Sequence, residues 1–478
     1  MDLTDIARWQ FGITTVYHFL FVPITIGLSA VVAGMETAWL RTRNEEWLRL
    51  TKFFGKLFLI NFALGVVTGI VQEFQFGMNW SSYSRFVGDV FGAPLAVEGL
   101  LAFFLESTFL GLWIFGWQRL PAKLHAACIW IVHVATLLSA YFILAANSWM
   151  QHPVGYRFNP TTHRAEMNDF WAVLTNKVQL VTFPHTLIAS YLTGGAFVAG
   201  VAMWHVVTKR DNRELYRRAA RIGATIALIG SVGIVFSGDI SGKVMTEVQP
   251  MKMAAAEALY NTEKPAGFSW FTIGTPDGKT EKFAIKTPDL LSFLATGSFN
   301  GEVKGINQLD AQYKSTYGVD TTATSYSASG YIPMIPVTYW SFRFMMGFGG
   351  LGALISIAIL WLTRKGRMPD ARWLKWAAIA LPVLPLVANT FGWIFTEMGR
   401  QPWAVFGLMT ASNAVSPGVS VFEAATSLVL LTLVYGVLAV VEVGLMLKYI
   451  KAGVPELSAA DTDVRPPADD DRPLAFAY

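Results

Sequence analysis

The chain is short of cysteine and short of charge, and each shortage excludes something. Its 478 residues include one cysteine, Cys128, set inside an apolar run. A disulfide within the chain is excluded, and a cysteine-ligated iron–sulfur cluster has no ligand set. Charged residues make up 15% of the chain, against about 25% in a soluble domain. The formal net charge of +4 is too small to read as nucleic-acid binding. The start, MDLTDIARW, carries two acidic residues and no basic n-region. It does not read as a cleaved signal peptide, and the first apolar segment is expected to stay in the mature protein. No convincing internal repeat is present, which counts against a transporter built from paired repeats.

What is abundant is apolar sequence, 53% of the chain, in runs long enough to cross a bilayer. Nine spans are expected, at 12–35, 54–77, 91–116, 125–147, 181–206, 220–238, 339–362, 374–396 and 423–447. Lipid offers the backbone no hydrogen-bond partner, so each must be a helix. The fold class is therefore an all-α polytopic membrane protein. Basic residues crowd alternate connections, 36–53, 117–124, 207–221, 363–375 and the tail from Lys448. The positive-inside rule puts these in the cytoplasm, with the N-terminus outside and the C-terminus inside. Residues 1–238 then hold six spans, 239–338 an extracytoplasmic loop, and 339–450 three more spans. Residues 451–478, rich in Pro, Ala and Asp, are expected to be a disordered cytoplasmic tail.

Ionisable groups at membrane depth need a partner or a function. His18 and His185 lie near the outer ends of spans one and five, and Met345 near that of span seven. Neutral imidazole and thioether suit a low-spin haem. Taken alone, a histidine tied to a neighbouring helix, or a methionine that only packs, is the commoner reading, and Met346 is as good a ligand as Met345 on composition. Arg343, two residues before Met345, could neutralise a haem propionate. Glu98 and Glu106 share span three, separated along a helix by about 12 Å of rise. They suggest ligation, proton transfer or both, with Ser107 and Thr108 extending the route. Glu397 and Arg400 can pair across one turn, with Trp393 a turn earlier able to pack on a flat cofactor. Glu73 and Asn147 are further polar groups, while Glu36 and Glu442 lie close to the inner surface. There is no CxxCH, so any haem is held non-covalently.

The stretch GDISGKVMTEVQPMKMAAAEALY, Gly238 to Tyr260, opens the one long polar insertion. Pro250 marks a helix start, and Lys252 and Glu257 sit five apart on it. A short helix at a membrane surface could receive an amphipathic substrate, or be a plain surface loop with two charges. The part from Asn261 to Ala328 is expected to be partly structured and is assigned no chemistry.

Over nearly its whole length the chain resembles subunit I of cytochrome bd-type quinol oxidases, of the short Q-loop kind. The resemblance rests on RWQFGITTVYHFLFVPITIG, FGKLFLINFALGVVTGIVQEFQFGMNW, PLAVEGLLAFFLESTFLGLWIFGW, GDISGKVMTEVQPMKMAAAEAL, YWSFRFMMGFGG and GWIFTEMGRQPW, in this order. Such proteins oxidise ubiquinol or menaquinol and reduce dioxygen to water, using haem b558, haem b595 and haem d. The resemblance implies that His185 and Met345 ligate haem b558, with Arg343 as its electrostatic neighbour. It implies His18 for the iron of haem d and Glu397 for that of haem b595. Glu98 is implied as a haem ligand or proton donor, Glu106 and Ser107 as a cytoplasmic proton path, and Arg400 and Trp393 as residues that position the high-spin pair. Lys252 and Glu257 are implied as quinol contacts at the outer face, so that charge is separated across the membrane without pumping. Subunit II and one or more small single-helix subunits are the implied partners, in the bacterial cytoplasmic membrane. The residues after Asn261 match no motif of the family. A cyanide-insensitive relative lacking haem d is the nearer alternative, and an ion transporter using Glu98 and Glu106 the more distant one.

Overall fold

The structure, a computed structural model, describes residues 2–209, 211–275, 279–318 and 330–457. The chain opens with α1 (Leu3–Thr42) and α2 (Glu45–Met78). A third long helix follows in three parts: α3 (Ser81–Val97), a π-helical stretch Glu98–Phe103, and α4 (Phe104–Phe115). Then come α5 (Ala122–Gln151), the hairpin β1 (Tyr156–Asn159) and β2 (Arg164–Met167), and the short α6 (Phe170–Leu174). Helices α7 (Lys177–Thr208) and α8 (Arg213–Val248) lead to α9 (Pro250–Glu257). The loop region adds β3 (Phe268–Gly274), β4 (Glu281–Thr287), α10 (Leu290–Thr296) and α11 (Ile306–Tyr317). The chain closes with α12 (Ile335–Leu362), α13 (Arg372–Met398), β5 (Trp403–Val405), β6 (Met409–Thr410), α14 (Ala411–Ala414) and α15 (Val421–Ala452). Strands pair only as three antiparallel two-stranded ribbons among the described residues.

Nine helices among the described residues are long and apolar enough to cross a membrane, as expected from the apolar runs. Helix α7 is the hub: 78% of its apolar window is buried, and it packs on α1, α5, α8 and α13. Small residues allow the close crossings. A Cβ on Gly27 of α1 would stand 2.4 Å from the Ser190 carbonyl of α7. Helix α15 is the opposite case, with 6% of its window buried, so it faces lipid or another chain.

The helices overrun the expected spans, and two differences bear on the site. Span six does not stop at 238; α8 runs unbroken to Val248. Polar sequence marks where lipid ends, not where a helix ends, and Asp239 and Lys243 pair across one turn at 2.6 Å. The third span is not one straight α-helix, because six residues from Glu98 adopt the wider π turn. Glu98 and Glu106 are therefore not stacked as a uniform α-helix would stack them. The tail beyond residue 457 lies outside the described residues.

The loop after α8 is a packed unit. Met253, Leu259, Phe268, Leu291 and Val303 form one apolar cluster. Tyr260, Ile306, Leu309, Tyr313, Tyr331 and Trp403 belong to a second, which also takes in Met251 and Tyr339. Helix α9 is wedged between the two, and every one of its residues after Pro250 is buried.

Candidate active site

Helix α9 starts as its sequence suggests. Gln249 is the cap, Pro250 fills the first turn, and Ala258 closes the helix in the left-handed region at φ 49°. Residues five apart on a helix point about 140° away from each other. Lys252 and Glu257 accordingly reach different neighbours, and the structure does not bring them together.

Glu257 meets Arg343 of α12. Arg343 Nη2 donates to Glu257 Oε2 at 2.7 Å and Nη1 to Oε1 at 3.3 Å, a two-pronged pair with side chains 8% and 2% exposed. Arg343 Nε also donates to the Ser269 carbonyl at 2.9 Å. The rings of Phe268, Tyr339 and Phe342 flank the guanidinium. Within this chain the Arg343 guanidinium is turned onto Glu257 and Ser269. Burial pushes the Glu257 carboxyl up from its ordinary value, and the Arg343 charge offsets only part of that.

Lys252 points toward α5 and α13. Its ammonium donates to Gln151 Oε1 at 3.0 Å and stands 5.3 Å from the centre of the Phe395 ring. Burial lowers its pKa to about 7, with Glu397 acting against the shift and Arg400 adding to it. Beside it is a cavity of about 10 Å³ walled by Gln249, Lys252, Arg400, Gln401 and Trp403, among others. Gln249 Oε1, Arg400 Nε and Nη1, and Trp403 Nε1 are buried polar atoms without a protein partner.

Glu397 pairs with Arg400 and accepts a hydrogen bond from Asn147 Nδ2 at 3.2 Å. Trp393 packs on Phe19 of α1 at 5.0 Å between ring centres, and its buried Nε1 has no partner.

His18 Nδ1 is bound to Thr68 Oγ1 at 3.0 Å, and a Cβ on Gly69 would come within 3.1 Å of its ring. His185 Nδ1 is bound to Ser237 Oγ at 3.0 Å, with Gly238 beside the ring. In both, a hydroxyl engages Nδ1, which orients the ring and leaves Nε2 for another ligand, as in metal-binding histidines. Met345 Sδ lies against Gly392 of α13, whose Cβ would stand 3.0 Å away, while Met346 is 40% exposed. Helix α8 packs on both α7 and α12, so His185 and Met345 lie on the two helices that flank it. The donors fit haem: single imidazole, thioether and carboxylate groups, glycines that clear space beside them, and orphaned N–H groups suited to acidic substituents. Among the described residues no three His, Cys, Asp or Glu side chains gather into a metal cage.

Glu98 accepts a hydrogen bond from Ser139 Oγ at 2.6 Å. Glu106 is 8% exposed. Ser107, by contrast, is exposed and its hydroxyl turns back to the Phe104 carbonyl at 3.3 Å. It does not continue from Glu106 within this chain. Sequence reasoning missed Gln151, Ser139, Thr68, Ser237 and Ser269. Each acts through hydrogen bonds across helices or from a backbone carbonyl, and no local pattern signals that.

The family model described as cytochrome bd terminal oxidase subunit I matches residues 6–454. The chain is 47% identical to cytochrome bd ubiquinol oxidase subunit 1 of Bacillus subtilis (strain 168), covering 94% of this chain and 93% of that one. It is 39% identical to cytochrome bd-II ubiquinol oxidase subunit 1 of Escherichia coli (strain K12), covering 95% and 97%. Its fold matches a solved structure of bd oxidase from Geobacillus thermodenitrificans with a TM-score of 0.82, at 27% identity over 94% of this chain and 99% of that one.

Proposed function

Because the chain belongs to the cytochrome bd terminal oxidase subunit I family, we propose that it oxidises ubiquinol or menaquinol against α9, on the outer face. In this reading dioxygen is reduced to water with protons taken from the cytoplasm. The chain is a quinol oxidase subunit, an enzyme of the respiratory chain, multi-pass in the bacterial cytoplasmic membrane. Two quinols reduce one dioxygen to two waters, and the protons of quinol leave on one side while those of water enter on the other. Charge is thereby separated without a pump. The basic connections support placing α9 outside, in the extracytoplasmic unit of residues 239–338 between the first six spans and the last three.

The observation that carries the proposal is the buried Glu257–Arg343 pair at the end of α9. Glu257, held by Arg343 and raised by burial, accepts a proton from quinol. Lys252, with its pKa lowered to about 7, exchanges a proton near neutrality. His185 and Met345 would hold haem b558, His18 haem d, and Glu397 haem b595, with Glu98 a further ligand or proton donor. Haems bound there supply the one-electron transfers between quinol and dioxygen. Trp393 and Arg400 offer their free N–H groups to acidic substituents, and Glu106 and Glu98 carry protons from the cytoplasm to the oxygen site. The names of the relatives specify a first subunit, so subunit II and small single-helix chains complete the complex, with α15 one of the faces open to them.

Both quinol-side groups must be free of a proton to accept one. Glu257 is raised and Lys252 is lowered to about 7, so acid loads both and alkali frees both. Quinol oxidation is expected to rise with pH through about 7, and the step near that pH to vanish in the residual activity of Lys252→Met. A pH profile of quinol-driven oxygen uptake for the two proteins checks this; an unchanged step in the variant removes Lys252 from the site. Glu106→Gln is expected to slow turnover while haem content stays at the parental level, measured by oxygen uptake and a pyridine haemochrome assay. Full turnover removes Glu106 from the proton route.

A further inference from the structure

Between Lys252 and Glu397 runs a line of side-chain hydrogen bonds that all point one way. Lys252 Nζ donates to Gln151 Oε1 at 3.0 Å, Gln151 Nε2 to Asn147 Oδ1 at 2.9 Å, and Asn147 Nδ2 to Glu397 Oε1 at 3.2 Å. Gln151 and Asn147 are four apart on α5 and so share one helix face. The Gln151 carbonyl also accepts from Gln249 Nε2 at 3.0 Å, which ties the residue capping α9 to the same place. Lys252 and Gln151 are 4% and 6% exposed. A buried ammonium on a flexible stem goes where its acceptor is, and the acceptor here is the Gln151 amide.

We infer that Gln151 is a positioning residue for quinol oxidation: its amide fixes the Lys252 side-chain nitrogen, charged or neutral, and links it through Asn147 to Glu397. The inference rests on the reading of Lys252 as a quinol contact. Gln151 does not touch substrate. It determines where Lys252 stands when the quinol oxygen arrives, and it joins the quinol side to the Glu397 cluster by two amides that neither gain nor lose a proton.

The test uses the complete oxidase complex carrying Gln151→Met, which keeps length and removes the hydrogen bonds. KM for a short-chain quinol is expected to rise roughly tenfold or more, as for a lost bond to a charged group. Binding of a non-reducible quinone analogue should weaken by the same factor, while the haem spectrum and the reoxidation of chemically reduced enzyme by oxygen stay parental. Gln151→Glu, which keeps the acceptor oxygen, is expected to recover analogue binding. Parental KM and analogue binding in Gln151→Met overturn the inference. So does a Gln151→Glu complex as weak as Gln151→Met, since that marks a merely structural role. If Gln151→Met loses haem, Gln151→Asn, which withdraws the amide by one methylene, must show the raised KM, and a parental value there overturns the inference too. Lys252→Met separates the two levels. Parental quinol kinetics in that variant sink the quinol-contact reading itself, whereas an impaired Lys252→Met beside a normal Gln151→Met sinks only the role of Gln151.

Discussion

Replacing His185 with alanine is expected to erase the low-spin haem signal from the reduced-minus-oxidised spectrum and to abolish quinol-driven oxygen uptake. The imidazole is fixed on one side by Ser237 Oγ at 3.0 Å, so Nε2 alone faces a ligand. The proposed second ligand is Met345, a neutral thioether that would not hold haem by itself at the strength of a His/Met pair. Met345→Ala is expected to give the milder version of the same defect, a loss of the low-spin signature. Met346→Ala is expected to leave the spectrum alone, since that side chain is 40% exposed while Met345 lies against Gly392 of α13. Ser237→Ala removes only the orienting hydrogen bond, and haem affinity should fall by about tenfold to a hundredfold. A parental spectrum in His185→Ala would show that another residue holds this haem.

Glu257→Gln is expected to keep all haem and lose quinol oxidation by about a hundredfold to ten-thousandfold, the range for removal of a proton acceptor. Glutamine is the informative replacement because of Arg343. Alanine would leave a guanidinium only 8% exposed with no counter-charge. Stranding one half of such a buried pair costs roughly 3–5 kcal/mol. Glu257→Ala should therefore also loosen the packing of the loop, where Arg343 is anchored to Ser269 and to the rings of Phe268 and Tyr339. Glutamine retains volume and one acceptor oxygen, so its effect reports on proton acceptance. Anaerobic haem reduction by quinol, followed against reoxidation by oxygen, checks this. Reduction at the parental rate in Glu257→Gln would remove the carboxylate from the quinol site.

Much of the membrane architecture was legible because lipid imposes a length and a composition that survive in one dimension. The nine spans, the helix start at Pro250 and the Glu397–Arg400 pair all follow from local spacing. What was not legible depended on contacts between distant segments. Arg343 lies two residues from Met345, but nothing local signals that it also binds Glu257 and a carbonyl from β3. Lys252 and Glu257 sit on one short helix, yet their angular separation sends one to α5 and the other to α12. The residues after Asn261 carry no motif because their contribution to the site is a backbone carbonyl, that of Ser269, and a packed cover over α9. The π stretch at Glu98 leaves no mark in the apolar pattern, since a wider turn changes direction without changing composition.

The most direct measurement is anaerobic addition of quinol to the purified complex with the visible spectrum recorded, followed by admission of oxygen. If α9 receives quinol and the helices hold the three haems, quinol reduces haem bands that include a far-red band of a chlorin-type haem d, and oxygen discharges them. Contradiction would be a complex without haem absorption, or haem bands that dithionite reduces and quinol leaves oxidised.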